Sequence, residues 1–204
     1  MSATDPVVVL LDLGGVLFDL DPARCLATWS RHSGIGEAEL ARRGPLGPYA
    51  ARYERGEITT EEFCSELRLQ LGADLSDAAL LEGWNALLAG VEPSVAAALK
   101  TVAAERPCYA LTNTNAAHQA AYAVRFSAAL SPFRAIFASH ELGVAKPDLA
   151  AFAAAFAAME VAPSSVVFFD DLAVNCDAAR SLGATAVEVR RPDDAVQGLL
   201  ALRP

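Results

Sequence analysis

Four short stretches of this 204-residue chain hold residue types that can do chemistry. Two glycines, Gly14 and Gly15, follow Asp12 across a single leucine, and the acid itself ends the apolar run Val7–Leu11. Thr112-Asn113 follows P-C-Y-A-L, Lys146 precedes Pro147, and Asp170-Asp171 follows V-V-F-F. Two adjacent acids behind a buried strand repel each other unless a cation or hydrogen-bond donors compensate them. With Asp12 they make an all-oxygen site of low ligand count. Mg²⁺ favours such sites, taking one or two carboxylates and a substrate phosphate while keeping several waters. The plainer alternative is that Asp170 and Asp171 cap the next helix and complement its dipole, and that Asp12 caps a turn. Asn175, one of only four asparagines, would then brace the acid pair.

The cations narrow the chemistry. The chain has 14 arginines but only two lysines, Lys100 and Lys146. Lys100 falls in an ordinary helical pattern and reads as a solvated surface residue. Lys146 stands at a helix start, and its compact charge suits a transferring phosphoryl group or a crowded carboxylate. Thr112 brings a hydroxyl, and Asn113 a backbone N–H at the start of a helix, a geometry that holds phosphate oxygens. The same T-N-T-N run also reads as a turn with an N-cap. His118, one turn into that helix, could face the site, although a surface histidine reads first. His32 and His140 have no recognisable partner.

These stretches can meet only if one sheet edge collects them. Val7–Leu11 is apolar, rich in β-branched residues and too short for a helix, and it reads as a fully buried strand bounded by Pro6. Further strands are expected at Pro107–Leu111, Ala135–Ala138, Val166–Phe169 and Ala186–Val189. Helices alternate with them from Ser94 to Leu202. Repeated strand–helix units imply a parallel sheet with helices on both faces, and ligands of such sheets bind at the carboxyl edge. Between Leu20 and Gly90 the pattern is helical, with no convincing strand. Asp21-Pro22 opens one helix, Glu37–Arg43 forms another, and Thr59-x-x-Glu62 is a capping box. Gly44-Pro45 and Gly47-Pro48 break the pattern. The expected architecture is α/β: a doubly wound, Rossmann-like core (1–18 and 92–204) with an all-helical cap (19–91) inserted after the first strand, over the ligand edge. The break at 44–56 carries Tyr49, Arg52, Tyr53 and Arg55. Arg52 and Tyr53 suit the charge and hydroxyls of a sugar phosphate, although an ordinary solvated loop reads equally well.

Composition sets the bounds. At 53% hydrophobic and 20% charged residues the chain can bury a substantial core. A net charge of -9 argues against a nucleic-acid surface. Four scattered cysteines without a C-x-x-C pair point to reduced thiols. The start lacks the features of a signal peptide, and the longest apolar run, Leu149–Met159, is about half the ~20 residues a membrane span needs. A soluble, cytoplasmic protein without nucleic-acid or membrane partners is expected.

Together, Asp12-Leu13-Gly14-Gly15-Val16, Leu111-Thr112-Asn113, Lys146-Pro147 and Phe168-Phe169-Asp170-Asp171, in this order, resemble the haloacid dehalogenase (HAD) superfamily over nearly the whole chain. The strings R-G-E-I (55–58), T-N-T-N (112–115), L-G-V-A-K-P (142–147) and F-F-D-D (168–171) are similar to its bacterial α-D-glucose-1-phosphate phosphatase branch. The resemblance implies that Asp12 attacks phosphorus and forms an aspartyl-phosphate that water then hydrolyses. It implies that Thr112, the Asn113 N–H and Lys146 hold the phosphoryl group. Mg²⁺ would sit between Asp12, the Gly14 carbonyl and Asp171, with Asp170 on the ion or just behind it. The implied substrate is a small phosphorylated metabolite, such as a sugar 1-phosphate. Most phosphatases of the superfamily carry a second Asp two residues after the nucleophile as general acid and base; here that position is Gly14, which leaves the proton donor open. Two other readings remain: a 2-haloacid dehalogenase, whose chemistry gives the acid pair no purpose, and a non-catalytic phosphate-binding regulator.

Overall fold

The computed structural model describes residues 7–44 and 47–203. Residues 1–6 and 204 of the expected core, and Pro45 and Leu46 of the expected cap, lie outside the described residues. Seven strands are present among them: β1 (Val8–Leu11), β2 (Phe18–Leu20), β3 (Leu88–Val91), β4 (Cys108–Thr112), β5 (Ile136–Ala138), β6 (Val166–Asp170) and β7 (Thr185–Glu188). Five form one parallel sheet in the order β5-β4-β1-β6-β7. The central strand β1 pairs with β4 on one side (Leu11 opposite Ala110) and β6 on the other (Leu11 opposite Phe169). Strand order therefore reverses at β1, and the crevice beyond its carboxyl end is where ligands of such sheets bind.

The continuous apolar run of β1 is explained by cover on both faces. Val9 and Leu11 pack with Val95, Leu99 and Val102 of helix Pro93–Ala103 and with Leu199 of helix Pro192–Leu200. Val8 and Leu10 face the other way, against Phe152, Phe156 and Phe168. Side chains alternate along a strand, so a doubly covered strand needs apolar residues at every position. Each fully buried leucine or phenylalanine here contributes roughly 1.5–3 kcal/mol of transfer free energy.

The insert is chiefly helical and has its own core, in which Trp29, Leu40, Tyr53, Phe63, Leu67 and Trp84 pack together. The sequence expectation is corrected in two places. The stretch from Leu20 to Gly90 is not free of strands, because β2 and β3 reach into its two ends, pair antiparallel (Asp19 opposite Gly90) and form the two connections between core and insert. These strands have three and four residues, too few for a periodic pattern. The second place is the break after Gly47, which is a helix, Pro48–Glu54. Pro48 starts it in the first turn, where a missing N–H costs nothing. The capping box is present: the Thr59 hydroxyl accepts from Glu62 N, and the Glu62 carboxylate accepts from Thr59 N. Among the described residues no helix is long and apolar enough to cross a membrane, and all four cysteines are free and buried.

Candidate active site

Asp12, Thr112 and the Asp170-Asp171 pair sit at the carboxyl ends of β1, β4 and β6, so the parallel sheet alone brings them to one edge. Asp12 N donates to Phe169 O across the sheet, and its carboxylate oxygen Oδ1 accepts from Leu13 N at 2.7 Å. The chain then turns sharply, with Phe18 N donating to Leu13 O and Gly15 N to Phe18 O.

Lys146 arrives from the loop after β5. Its ammonium lies 3.0 Å from Asp12 Oδ1 and 2.6 Å from Asp170 Oδ2, with only 1% of its side chain exposed. It also lies over the Phe168 ring, 5.4 Å from the centroid. The peptide bond between Lys146 and Pro147 is cis. Asn113 fixes the lysine's backbone: Asn113 Nδ2 donates to Lys146 O, and Lys146 N donates to Asn113 Oδ1, both at 2.9 Å. The sequence assigns Asn113 only a backbone role; the side chain's hold on Lys146 needs a cross-strand register that spacing does not reveal.

The two acids of the pair differ. Asp170 is fully buried, and both its oxygens are taken: Oδ1 accepts from Leu172 N and Asn175 Nδ2, Oδ2 from Lys146. Asn175 thus braces Asp170, and not Asp171, among the described residues. Asp171 is more open. Its carboxylate presses against the turn after Asp12, where a Cβ on Gly15 would lie 2.5 Å from Asp171 Oδ2. Gly15 also has φ +75°, so both backbone shape and space require glycine there. One oxygen each from Asp12, Asp170 and Asp171 lie within 4.8 Å of one another, close enough to share a cation. Burial pushes the Asp12 carboxyl up to about 6, aided by Asp170 and opposed by Lys146. Burial and Asp170 also raise Asp171. A cation among these oxygens would relieve both.

A cavity of about 210 Å³ opens beside this cluster between core and insert. Gly14, Thr112, Asn113 and His118 line it from the core side, and Glu54, Trp84 and Leu87 from the insert. His118 is not a surface residue: it is buried, stacks on Trp84 at 5.0 Å, and its Nδ1 lies 3.0 Å from Asn85 Oδ1. Burial holds its pKa down at about 4.

The expected substrate contacts from 44–56 divide. Arg52 is exposed, 3.7 Å from Glu57, and lines a surface dent with Glu61 and Glu66; the structure does not bring it to the cavity. Tyr53 is buried, and its hydroxyl accepts from Ala117 N (3.1 Å) while bonded to the Thr60 hydroxyl (2.8 Å), so it ties insert to core. Glu54, which the sequence reading passed over, is the residue of this helix that lines the cavity.

A family model for haloacid dehalogenase-like hydrolases matches residues 7–183. A HAD family enzyme of Bacteroides thetaiotaomicron superposes with a TM-score of 0.80 at 27% identity, covering 91% of this chain and 94% of that one. Its wild-type form in complex with magnesium and inorganic phosphate gives 0.78 at 26% identity, covering 90% and 93%. L-2-haloacid dehalogenase of Xanthobacter autotrophicus shares the fold with a TM-score of 0.65 at 21% identity, covering 90% and 77%. Acyl-CoA dehydrogenase family member 10 of Mus musculus is 28% identical over 203 residues, 95% of this chain; the chain spans 19% of that protein's length.

Proposed function

The chain belongs to the haloacid dehalogenase-like hydrolases, and from that premise we propose that it is a Mg²⁺-dependent phosphomonoesterase acting on a small phosphorylated metabolite through an aspartyl-phosphate on Asp12. The observation that carries this reading is the placement of one buried lysine between Asp12 and Asp170, with Asp171 held beside them by the Gly15 turn.

The donor set fits Mg²⁺. Asp170 has spent its oxygens on protein donors, whereas Asp12 Oδ2 accepts no hydrogen bond from protein among the described residues and the Asp171 carboxylate takes only its own backbone N–H. Asp12, Asp171 and the Gly14 carbonyl would hold the ion, with Asp170 behind them orienting Lys146. When bound, Mg²⁺ supplies positive charge to the phosphoryl oxygens and keeps Asp12 ionised. The magnesium and phosphate found with the Bacteroides enzyme support the same reading.

The chain's own groups then have definite tasks. Asp12 attacks phosphorus, in line with the departing ester oxygen. Lys146 meets the charge on the phosphoryl group, and Asp170 and Asn113 keep the lysine in place. Thr112 and the Asn113 N–H bind the remaining phosphoryl oxygens, and the insert excludes bulk water. Water finally cleaves the aspartyl-phosphate and restores the carboxylate.

A cavity of about 210 Å³ suits a leaving group the size of a single sugar ring better than a nucleoside. The resemblance to the glucose-1-phosphate phosphatase branch supports a sugar 1-phosphate, whose anomeric oxygen leaves more readily than a simple alkoxide. A phosphate-release screen over sugar and nucleotide monophosphates, with Mg²⁺ and with excess EDTA, tests this. Sugar phosphates should be turned over only with the metal. Metal-independent chloride release from a 2-chloroacid would replace the reading with a dehalogenase.

A further inference from the structure

Phosphoryl transfer to Asp12 leaves one proton without a source. The ester oxygen must be protonated as it departs, and Gly14 carries no side chain to do it. The cavity walls limit the alternatives. His118 is poorly suited: burial holds its pKa at about 4, which keeps the ring neutral, and among the described residues its Nε2 has no hydrogen-bond partner. Lys146 is committed to two carboxylates. Thr112 and Tyr122 offer only weakly acidic hydroxyls. The carboxyl group left on the cavity wall, apart from the acids that would bind the cation, is Glu54.

We propose, resting on the phosphomonoesterase reading, that Glu54 of the insert is the general acid and base of the reaction, in the role that a side chain at position 14 would otherwise fill.

Its placement is built rather than incidental. Glu54 O accepts from Ser139 Oγ at 2.6 Å, and the same hydroxyl accepts from Thr114 N at 2.9 Å, so Glu54 is latched to the strand end that carries Thr112 and Asn113. One residue earlier, the Tyr53 hydroxyl is bonded to Ala117 N. Two residues later, Gly56 turns with φ +67° so close to the core that a Cβ would lie 2.3 Å from His140 O. Three contacts on four consecutive residues thus pin Glu54 against the core. A cavity this small brings its two walls within reach of one ester group. Burial raises the Glu54 carboxyl, against the pull of Arg55, which favours a protonated acid in the closed site.

The proton balance is complete. As Asp12 bonds to phosphorus and the ester P–O bond breaks, the Glu54 proton passes to the leaving oxygen, giving the alcohol and a Glu54 carboxylate. Glu54 then takes a proton from the water that attacks the aspartyl-phosphate. Inorganic phosphate leaves, the Asp12 carboxylate returns, and Glu54 is protonated again.

Leaving-group dependence tests this. Glu54→Gln is compared with wild type on p-nitrophenyl phosphate, whose leaving group needs no proton, and on an alkyl phosphate or sugar 6-phosphate, whose leaving group does. In kcat/KM, which reports only the steps up to departure of the leaving group, the alkyl ester should lose ~10²–10⁴, the span general acid catalysis supplies, while the aryl ester loses less than about threefold. Glu54→Asp should recover part of the loss. The double variant Gly14→Asp/Glu54→Gln should recover more, since a Cβ at 14 meets only the flexible tip of Leu20, at 3.1 Å. Equal losses in kcat/KM on both esters, or an unchanged kcat/KM for the alkyl ester in Glu54→Gln, overturns the proposal. Should Glu54→Gln fold poorly, unaltered ester selectivity in Glu54→Asp overturns it as well. A wild type inert toward the aryl ester in Mg²⁺ instead overturns the phosphatase reading, and the proposal with it.

Discussion

Asn113 and Lys146 clasp each other by two hydrogen bonds of 2.9 Å, the amide of one closing a ring with the backbone of the other. The clasp spans 33 residues of sequence and joins the end of β4 to the loop after β5. Its consequence is chemical: it sets where the Lys146 ammonium starts, and Asp170 sets where it ends.

Breaking the clasp should therefore cost rate as well as stability. Asn113→Ala leaves a buried backbone N–H and C=O of Lys146 unpaired, worth on the order of 1–3 kcal/mol. We expect a lower Tm and a fall in kcat of roughly 10- to 100-fold from the misplaced cation, a range set by the sensitivity of such sites to small displacements. Thermal unfolding and steady-state kinetics on the same preparation check both.

The acid pair should separate into two phenotypes. Asp171→Ala is expected to weaken Mg²⁺ binding more than Asp170→Ala, measured by calorimetry. Asp170→Ala is expected to lose more stability, because it leaves Lys146, Asn175 and Leu172 N without their acceptor. The reverse order in both measurements contradicts the assignment.

Gly15→Ala is a second route to the metal. The added methyl group would overlap the Asp171 carboxylate and strain a left-handed turn. Mg²⁺ affinity should fall by an order of magnitude or more even though no ligand has been removed; strain of about 1–3 kcal/mol corresponds to such a factor. Unchanged affinity would detach Asp171 from the ion.

Two buried groups titrate in opposite senses in the metal-free protein. Asp12 holds its proton up to about pH 6, whereas an unfolded chain loses it near 3.8. The folded state binds the extra proton across that window, so this group's contribution to stability falls as pH rises through it. Asp12→Asn removes this titration, so in denaturant titrations its stability relative to metal-free wild type should rise as pH rises from about 4 to 7. His118 is the mirror case: its pKa is lowered from 6.5 to about 4, so the unfolded chain takes up the proton first and stability falls as pH drops from 6.5 toward 4. His118→Phe, which can keep the stack on Trp84, should flatten that acid limb in denaturant titrations.

The sequence exposed the site where chemistry and topology coincide. Asp12, Thr112 and Asp170-Asp171 each end a strand, and parallel strands end at one edge, so their convergence follows from order alone. The insert was legible as helical but not in register. Arg52 and Glu54 are two residues apart on helix Pro48–Glu54, a spacing that sends side chains to different faces. With Tyr53 buried between them, Arg52 faces solvent and Glu54 the cavity. Two Gly-Pro pairs in quick succession at its start hid the helix, and without the helix no rule could choose between the two. β3 was hidden for a related reason, since L-A-G-V has neither length nor alternation to separate it from the preceding helix.

The central claim is that Asp12 becomes phosphorylated. Wild-type protein mixed with Mg²⁺ and a turned-over phosphate ester, quenched in acid within the first turnover and digested, should yield the peptide containing Asp12 heavier by one phosphoryl group. The adduct should be labile to hydroxylamine and absent from Asp12→Asn or in EDTA. Rapid phosphate release with no such adduct, or an adduct that persists in Asp12→Asn, would contradict the account.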